Sequence, residues 1–518
     1  MRRILLALVL LLAAPATAHA SFGVSSFTVT PSTLQAGSHP DVSIALGFSG
    51  NEHVRDLTVS LPPGLVGNPN AVPRCAAAKF SADQCADNTR VGTTAVESTV
   101  LGLPLSATGD VYNLVAGAGE PARLGVIVRP PAAGKVFLIT RVALRPADGG
   151  LDSIINGIPS TVTVLGIPQE MTITAMNLTL LGKPGSTPFM TMPTGCGPAT
   201  ATVTATSANA TAVTRSAAPF TPTACDKLPF KPQFSGSIST GSEPSLRTVI
   251  TGPAGNANTA SAAVTLPPGI GVNLETAKNA CTLAQQAAGP CPAISHVGTA
   301  VAQSPLLPPL TGPVSLAVLP GQPLPGVRVD LSGVVSLSLS GVATLGNGLR
   351  TQFSGIPDVP LQRFELTFAK NGALKTANDV CRGPLPRMTA ELTGHNGATA
   401  TLREPLAVTG CLKPIAGLRV RGHKLVLRVR AARAGAALKR VQLTLPHRLK
   451  AHPRRGHVRG GKLGRHGVLT VNAAGKRRIT ATLGRGAFTG KLGKKRTFVL
   501  RTVDVTGHPE RQRIKARR

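Results

Sequence analysis

Apolar and polar residues alternate in short runs along most of this chain. In Val335-Ser336-Leu337-Ser338-Leu339 a period of two sets the valine and leucines on one face of a strand and the serines on the other, as in a sheet with one side on a core and one in water. Similar runs predict strands over 41–48, 57–61, 124–129, 136–144, 160–165 and 171–180, and again over 327–331, 335–339 and 362–368. Residues 274–288, LETAKNACTLAQQAA, break this period and read as a helix leading through Gly289 to Cys291. A shorter helix or turn is expected over 71–83. Leu61-Pro62-Pro63-Gly64 and Leu266-Pro267-Pro268-Gly269 each end a strand, because proline cannot donate to a ladder and Pro-Gly suits a turn.

These runs come in two sets. Val91-Gly92-Thr93 answers Val297-Gly298-Thr299, Gly157-Ile158-Pro159 answers Gly355-Ile356-Pro357, and Leu178-Thr179-Leu180 answers Leu366-Thr367-Phe368. The cysteines follow the same duplication. Cys75 and Cys85 are 10 apart and Cys196 and Cys225 are 29 apart; Cys281 and Cys291 are again 10 apart, and Cys381 and Cys411 are 30 apart. Sequential bridges, Cys75 to Cys85, Cys196 to Cys225, Cys281 to Cys291 and Cys381 to Cys411, give both copies the same two staples. The first bridge of each copy is expected to tie the helical crossover to the strand that begins near Val91 or Val297.

An oxidising compartment fits the N-terminus. Arg2 and Arg3 precede an apolar run over 4–14, and Ala18-His19-Ala20 has the small-x-small form of a signal-peptidase site, so the mature chain is expected to begin at Ser21. An even cysteine count in an exported chain favours structural disulfides over metal ligation, and the cysteines are too dispersed for a zinc knuckle. No run reaches the roughly 20 apolar residues that a spanning helix needs. Leu307-Pro308-Pro309-Leu310-Thr311-Gly312 approximates a sortase signal but lies mid-chain with no hydrophobic tail behind it. The expected location is extracellular, released or held non-covalently at the cell surface.

The succession LPPG, Cys, Cys, VGT resembles secreted repeat modules of uncharacterised proteins in high-G+C Gram-positive bacteria, and the resemblance covers most of residues 41–414. It implies an extracellular β architecture and no catalytic residues. Composition agrees with the class: 56 Gly and 44 Pro suit many short strands and turns, and with no Trp and one Tyr the core is aliphatic. The expected fold is all-β, tandem Ig-like or β-sandwich modules with short helical crossovers, duplicated and disulfide-pinned. Its parts are a signal peptide (1–20), two β modules (21–230 and 231–414) and a strongly basic β domain with an Arg-rich tail over 510–518 (415–518).

Charge singles out the last part. Residues 412–518 hold 30 of the 55 Lys and Arg against Asp504 and Glu510, and so carry +28 of the formal +33. Basic and apolar residues alternate there, which argues for strands, and Asn472-Ala473-Ala474-Gly475 reads as a hairpin turn. Arg454, Arg455, Arg459, Lys476, Arg477, Arg478, Lys494, Lys495 and Arg496 are the candidate polyanion-binding residues, with anionic cell-envelope polymers as the expected partner. Only Phe488 and Phe498 are available to stack on bases, which argues against nucleic acid.

No catalytic constellation is legible. Positions shared by the two sets are Cys, Pro, Gly, Thr and aliphatics, and His39, His53, His296 and His395 have no counterparts. No GxSxG elbow, HExxH or EF-hand loop occurs. The expectation is a non-catalytic structural or adhesive protein without metal or cofactor, capable of lateral self-association. Two alternatives stand beside it: a wall-modifying hydrolase with an unrecognised site, and a ligand-capture protein, which would need a deep apolar pocket between modules.

Overall fold

The computed structural model describes residues 22–518 apart from 132, 240–243, 370–371, 377–384, 410–412, 422–423, 433–435, 491–496, 506, 508 and 518. It is all-β. The first module contains β1 (Gly23–Pro31), β2 (Val42–Ser49), β3 (Val54–Ser60), β4 (Val66–Gly67), β5 (Arg90–Val100), β6 (Leu103–Leu114), β7 (Ala122–Arg129), β8 (Val136–Leu144), β9 (Leu151–Ile155), β10 (Thr161–Val164), β11 (Ile167–Leu180), β12 (Met190–Thr191), β13 (Thr202–Ser207) and β14 (Ala212–Ser216). Twelve of these form one sheet in the order β1-β2-β11-β5-β6-β7-β8-β9-β3-β13-β14, with β10 paired to β11; β4 and β12 pair apart. The sheet curls until its two edges meet, where Arg215 on β14 donates to the Val24 carbonyl of β1 at 2.9 Å. Alternation turns Ile44, Leu57, Val96, Val111, Val126 and Leu178 inward into one core.

The second module repeats this order strand for strand, from Gln233–Ser239 in the place of β1 to Thr399–Pro405 in the place of β14. Its edges join through a single segment. Thr399–Pro405 pairs with Arg387–Gly394, the chain bends at the fully buried Leu406, and Ala407–Thr409 pairs in parallel with Gln233–Ser239.

The third domain uses the same strand order in shorter form. Ile415–Arg421, Lys424–Arg430, Leu438–Thr444, Val468–Lys476, Arg478–Leu483, Thr497–Asp504 and Pro509–Arg517 occupy the positions of β1, β2, β3, β9, β11, β13 and β14. A short segment, Val458–Arg459 paired with Arg478–Leu483 and Lys462–Leu463 paired with Val468–Lys476, stands where β5 to β8 stand in the first module. The expected Arg-rich tail is therefore a ladder strand: Pro509–Arg517 pairs along Thr497–Asp504 and buries Ile514 while its arginines face out. Asn472 to Gly475 is not a hairpin turn either. Ala474 and Gly475 have positive φ (45° and 78°) and form a bulge within Val468–Lys476, after which the chain crosses to the opposite side of the domain at Arg477.

The helical reading of 274–288 divides in two, Leu274–Ala277 and Leu283–Ala288, because Thr282 starts a new helix with a capping box to Gln285. Disulfides Cys75–Cys85, Cys196–Cys225 and Cys281–Cys291 are present; Cys381 and Cys411 lie outside the described residues. The 10-residue bridges close each crossover on itself rather than onto the following strand. The crossover docks on β6 instead, where the Cys75 N–H donates to the Asn113 carbonyl at 2.8 Å and the Val115 N–H to the Cys75 carbonyl at 3.1 Å. The same contacts recur at Cys281, with Leu316 and Val318.

An ion-pair cluster ties the first crossover down. Asp83, just past its helix, accepts from Arg129 (2.7 Å) and Lys135 (2.6 Å). Hydrogen bonds from these two cations outweigh desolvation and lower the Asp83 pKa. A carboxyl depressed in the folded state adds stability above its unfolded pKa near 4 and loses it as pH falls through the folded value. Solvent screening keeps that contribution at about 1 kcal/mol or less. Amide protection factors over 76–89, corrected for the intrinsic exchange rate at each pH, are expected to fall as pH drops from about 5 to about 2, and Asp83→Asn should remove most of that pH dependence.

Candidate functional site

The junction of the first two modules holds an apolar site. After β3 the Leu61-Pro62-Pro63-Gly64 turn carries Leu65 and Val66 into the end of the curled sheet, and β4 pairs there with β12. Two proline-rich loops of the second module, 304–310 and 355–361, lie across this end. Asn70 Nδ2 holds the first by donating to the Pro305 and Leu306 carbonyls at 3.1 and 3.0 Å. Asp358 holds the second. Its buried carboxylate accepts from the Thr194 N–H (2.7 Å) and hydroxyl (2.6 Å), from the Gly195 N–H (3.3 Å) and from Asn258 Nδ2 (2.8 Å).

Cys196 follows these donors directly, and its bridge to Cys225 fastens them to the segment that leaves the first module. Asn396 of the second module donates to the carbonyls of Cys225 (3.3 Å) and Leu228 (3.0 Å). One disulfide thus serves both the first module and its junction with the second.

Between the loops and the sheet end is a cavity of about 160 Å³. Leu124, Leu144, Leu151, Leu306, Leu310 and Leu361 are typical of its wall, and no ionisable side chain lines it. Its only polar side chains are Asn113, Ser153 and Ser304. Leu61, Leu124, Ser153 and Leu180 also border a smaller cavity of about 60 Å³ inside the curled sheet. Asn113 is fully buried. Alternation along β6 sets it on the same face as Val111, and its Nδ2 lies within 3.0 to 3.5 Å of the carbonyls of Pro69, Val72 and Pro73. These contacts fix the amide and leave Oδ1 without a hydrogen-bond partner.

On the rim, Arg145 bridges Asp148 and Asp152 and donates to the Leu61 carbonyl at 2.7 Å. Burial opposes ionisation of Asp148, but Arg145 and the Gly150 N–H outweigh it and lower its pKa. The segment from Leu307 to Gly312, the sortase-like stretch, supplies part of the cavity wall through Leu307, Pro308 and Leu310.

The basic residues fall on both outer faces of the third domain. Arg430 and Arg478 lie directly opposite each other across the ladder, and Arg459 adjoins through Thr482. Arg419 and Arg428, outside the residues singled out from sequence, extend this face. On the other side Arg501 faces Arg511, with Arg513 and Lys515 beyond it. Arg454 and Arg455 are exposed in the turn before Val458, and Lys476 and Arg477 sit at the crossing, where Arg477 donates to the Ala432 carbonyl at 2.8 Å. Lys494, Lys495 and Arg496 lie outside the described residues. The missed arginines carried a signal, since Leu425-Val426-Leu427-Arg428-Val429-Arg430 alternates and the ladder decides which face each shares.

The histidines serve structural contacts. His39 meets the Met190 carbonyl (3.1 Å), His296 the Cys291 carbonyl (3.0 Å) and His395 the Ile356 carbonyl (2.9 Å). Among the described residues no group of three His, Cys, Asp or Glu side chains is placed to hold a metal, and no helix is long and apolar enough to cross a membrane. No protein-family model and no curated protein matches the chain. Among solved structures, one described as the complete structure of manganese lipoxygenase of Gaeumannomyces graminis and partial structure of zonadhesin of Komagataella pastoris aligns over 74% of this chain and 94% of that one, at 11% identity and a TM-score of 0.19, and carries no argument here.

Proposed function

We propose that this is a non-catalytic, exported protein of the cell envelope, in which a basic C-terminal domain binds anionic surface polymers and two homologous disulfide-pinned modules are displayed by it. The observation that carries this reading is the pair of cross-strand arginine contacts, Arg430 with Arg478 and Arg501 with Arg511. Like charges directly opposite on a sheet destabilise it. The third domain has only Asp504 and Glu510 to offset 29 cations, so polyanionic ligands bridging these rows relieve repulsion that the chain itself leaves in place.

The test is co-sedimentation of residues 21–518 and of residues 21–414 with native cell envelope across a salt titration. The full chain is expected to bind, with affinity falling on the order of 10³-fold between about 50 and about 200 mM salt if six or more cations engage the polymer. The shorter chain should stay in the supernatant. Equal binding by both, insensitive to salt, would sink the reading. Within the full chain, the double substitution Arg430→Ala and Arg478→Ala should flatten the salt dependence while raising the melting temperature of the unliganded third domain.

A further inference from the structure

The end of the first module farthest from the junction carries apolar side chains that its fold does not require. Two hairpins there share one run of residues, Val100-Leu101-Gly102-Leu103-Pro104 between β5 and β6 and Val164-Leu165-Gly166-Ile167-Pro168 between β10 and β11. Both are two-residue turns, with Val100 paired to Leu103 and Val164 to Ile167. Leu101 and Leu165 have φ of 53° and 50°, and Gly102 and Gly166 of 76° and 85°. A turn with both central residues at positive φ is ordinarily Asn-Gly or Asp-Gly, because this conformation sets Cβ against the following carbonyl. Leucine is thus unfavourable for folding at both tips, and little of it is buried in return. Leu101 is 72% exposed and Leu165 89%, with Leu103 at 68% and Ile167 at 60% beside them.

The two tips lie at the same end. Met171 of β11 pairs with Val100 of β5, while Leu180, at the other limit of β11, borders the junction cavity. In the second module the corresponding hairpin, between His296–Gln303 and Leu310–Ala317, carries Leu306 and Leu307, which line that cavity against the first module. This end of the fold is therefore seated in an apolar neighbour in the second module and, among the described residues, stands uncovered in the first.

The chemistry of the tips selects the neighbour. The junction between modules is fastened by polar side chains, Asn70, Asp358 and Asn396, whereas neither five-residue run contains one, and no charged residue occurs over 98–109 or 153–169. At roughly 100 Å² of apolar surface for a leucine-sized side chain, the four exposed side chains offer about 300 Å². Each partner in a standard protein interface buries about 800 Å². Pro104 and Pro168 also remove a backbone N–H just behind each tip, which suits a medium that offers no hydrogen-bond partners.

We infer that this end of the first module inserts Leu101, Leu103, Leu165 and Ile167 into the hydrocarbon of a lipid bilayer, independently of the basic domain. The contact is made without charge, so salt that releases the third domain from an anionic polymer leaves it intact.

Flotation of residues 21–518 with phosphatidylcholine vesicles, which carry no net charge, tests this in about 1 M NaCl, where the Debye length is about 3 Å and the basic domain is silent. The chain is expected to float with the vesicles. The double substitution Leu101→Asn and Leu165→Asn supplies the residue that positive φ favours. It should hold or raise the melting temperature while lowering the partition at least tenfold. Because the chain has no tryptophan, Leu103→Trp gives a single emission probe, which should shift to the blue on adding vesicles and be quenched by lipids brominated on their acyl chains. The inference is overturned if the unmodified chain stays with the buffer, if the asparagine variant floats equally well, or if the tryptophan emission is unmoved by vesicles. A dimer in sedimentation equilibrium that the asparagine variant loses would also overturn it, by assigning the tips to a second copy of the chain.

Discussion

Asp358→Ala is expected to uncouple the first two modules. The carboxylate gathers four donors from three residues, and Thr194 is itself buried. Removing it leaves two backbone N–H groups, a hydroxyl and an amide facing a void. A hydrogen bond to a charged group contributes about 1.5–3 kcal/mol, and orphaned buried donors add their own desolvation cost. A loss of about 3 kcal/mol at the junction is the expected scale. Scanning calorimetry should show a transition shared by the two modules separating into two. Amide exchange should rise over 191–196 and 355–361 and leave the interior of β5 to β8 unchanged. An unaltered melting profile would mean that loop packing alone holds the modules. Asp358→Asn, which keeps one acceptor, should fall between the two.

The second large effect is expected from the Cys196–Cys225 bridge. Its 29-residue separation gives a loop-closure stabilisation of about 3.5 kcal/mol, against about 2.5 kcal/mol for the 10-residue bridges. Position matters more than this difference. Cys196 follows the Thr194-Gly195 donors to Asp358, and the Cys225 carbonyl accepts from Asn396 of the second module. Substituting both cysteines by serine should therefore lower the first module's stability and loosen the junction together. The Cys75 and Cys85 pair, replaced in the same way, should affect only the crossover. Limited proteolysis near residues 225–232 distinguishes the outcomes, since cleavage there should accelerate in the first variant alone. Equal cleavage in both would show that this bridge has no special part in the junction.

The strands were legible because period-two alternation and LPPG punctuation are local properties. Residues 42–49, 122–129, 136–144 and 363–368 lie within a residue or two of their predicted limits. The run at 335–339 sits instead at Leu337–Gly346, since the sequence continues to alternate past the predicted end. Interruptions inside a compatible pattern were harder to see. Thr282 divides one helical run by capping, and Ala474 bends a strand without ending it.

The junction was almost invisible in the sequence. Asp358 follows Gly355-Ile356-Pro357, and its counterpart after Gly157-Ile158-Pro159 is Ser160. Nothing local tells that one of these residues meets Thr194, more than 150 positions away. Asn113 gave a faint sign as the one polar residue in Val111-Tyr112-Asn113-Leu114-Val115. The basic domain was legible as charge, yet the ladder register, which composition cannot supply, determines which arginines face each other.

The bend at Leu406 has a bearing on how such chains meet. By passing from one margin of the second sheet to the other, the segment 399–409 occupies the backbone groups on which an incoming strand would have to template itself. In the third domain the segment 458–463 likewise runs from one margin to the other, while the seam between β1 and β14 is held by a side chain, Arg215. Among the described residues, an incoming strand therefore meets an open ladder at the seam between β1 and β14, in the first module. Where the segment 399–409 lines both margins of the second sheet, crowding these proteins on a surface brings faces and loops together rather than the strands it covers, Gln233–Ser239 and Arg387–Gly394.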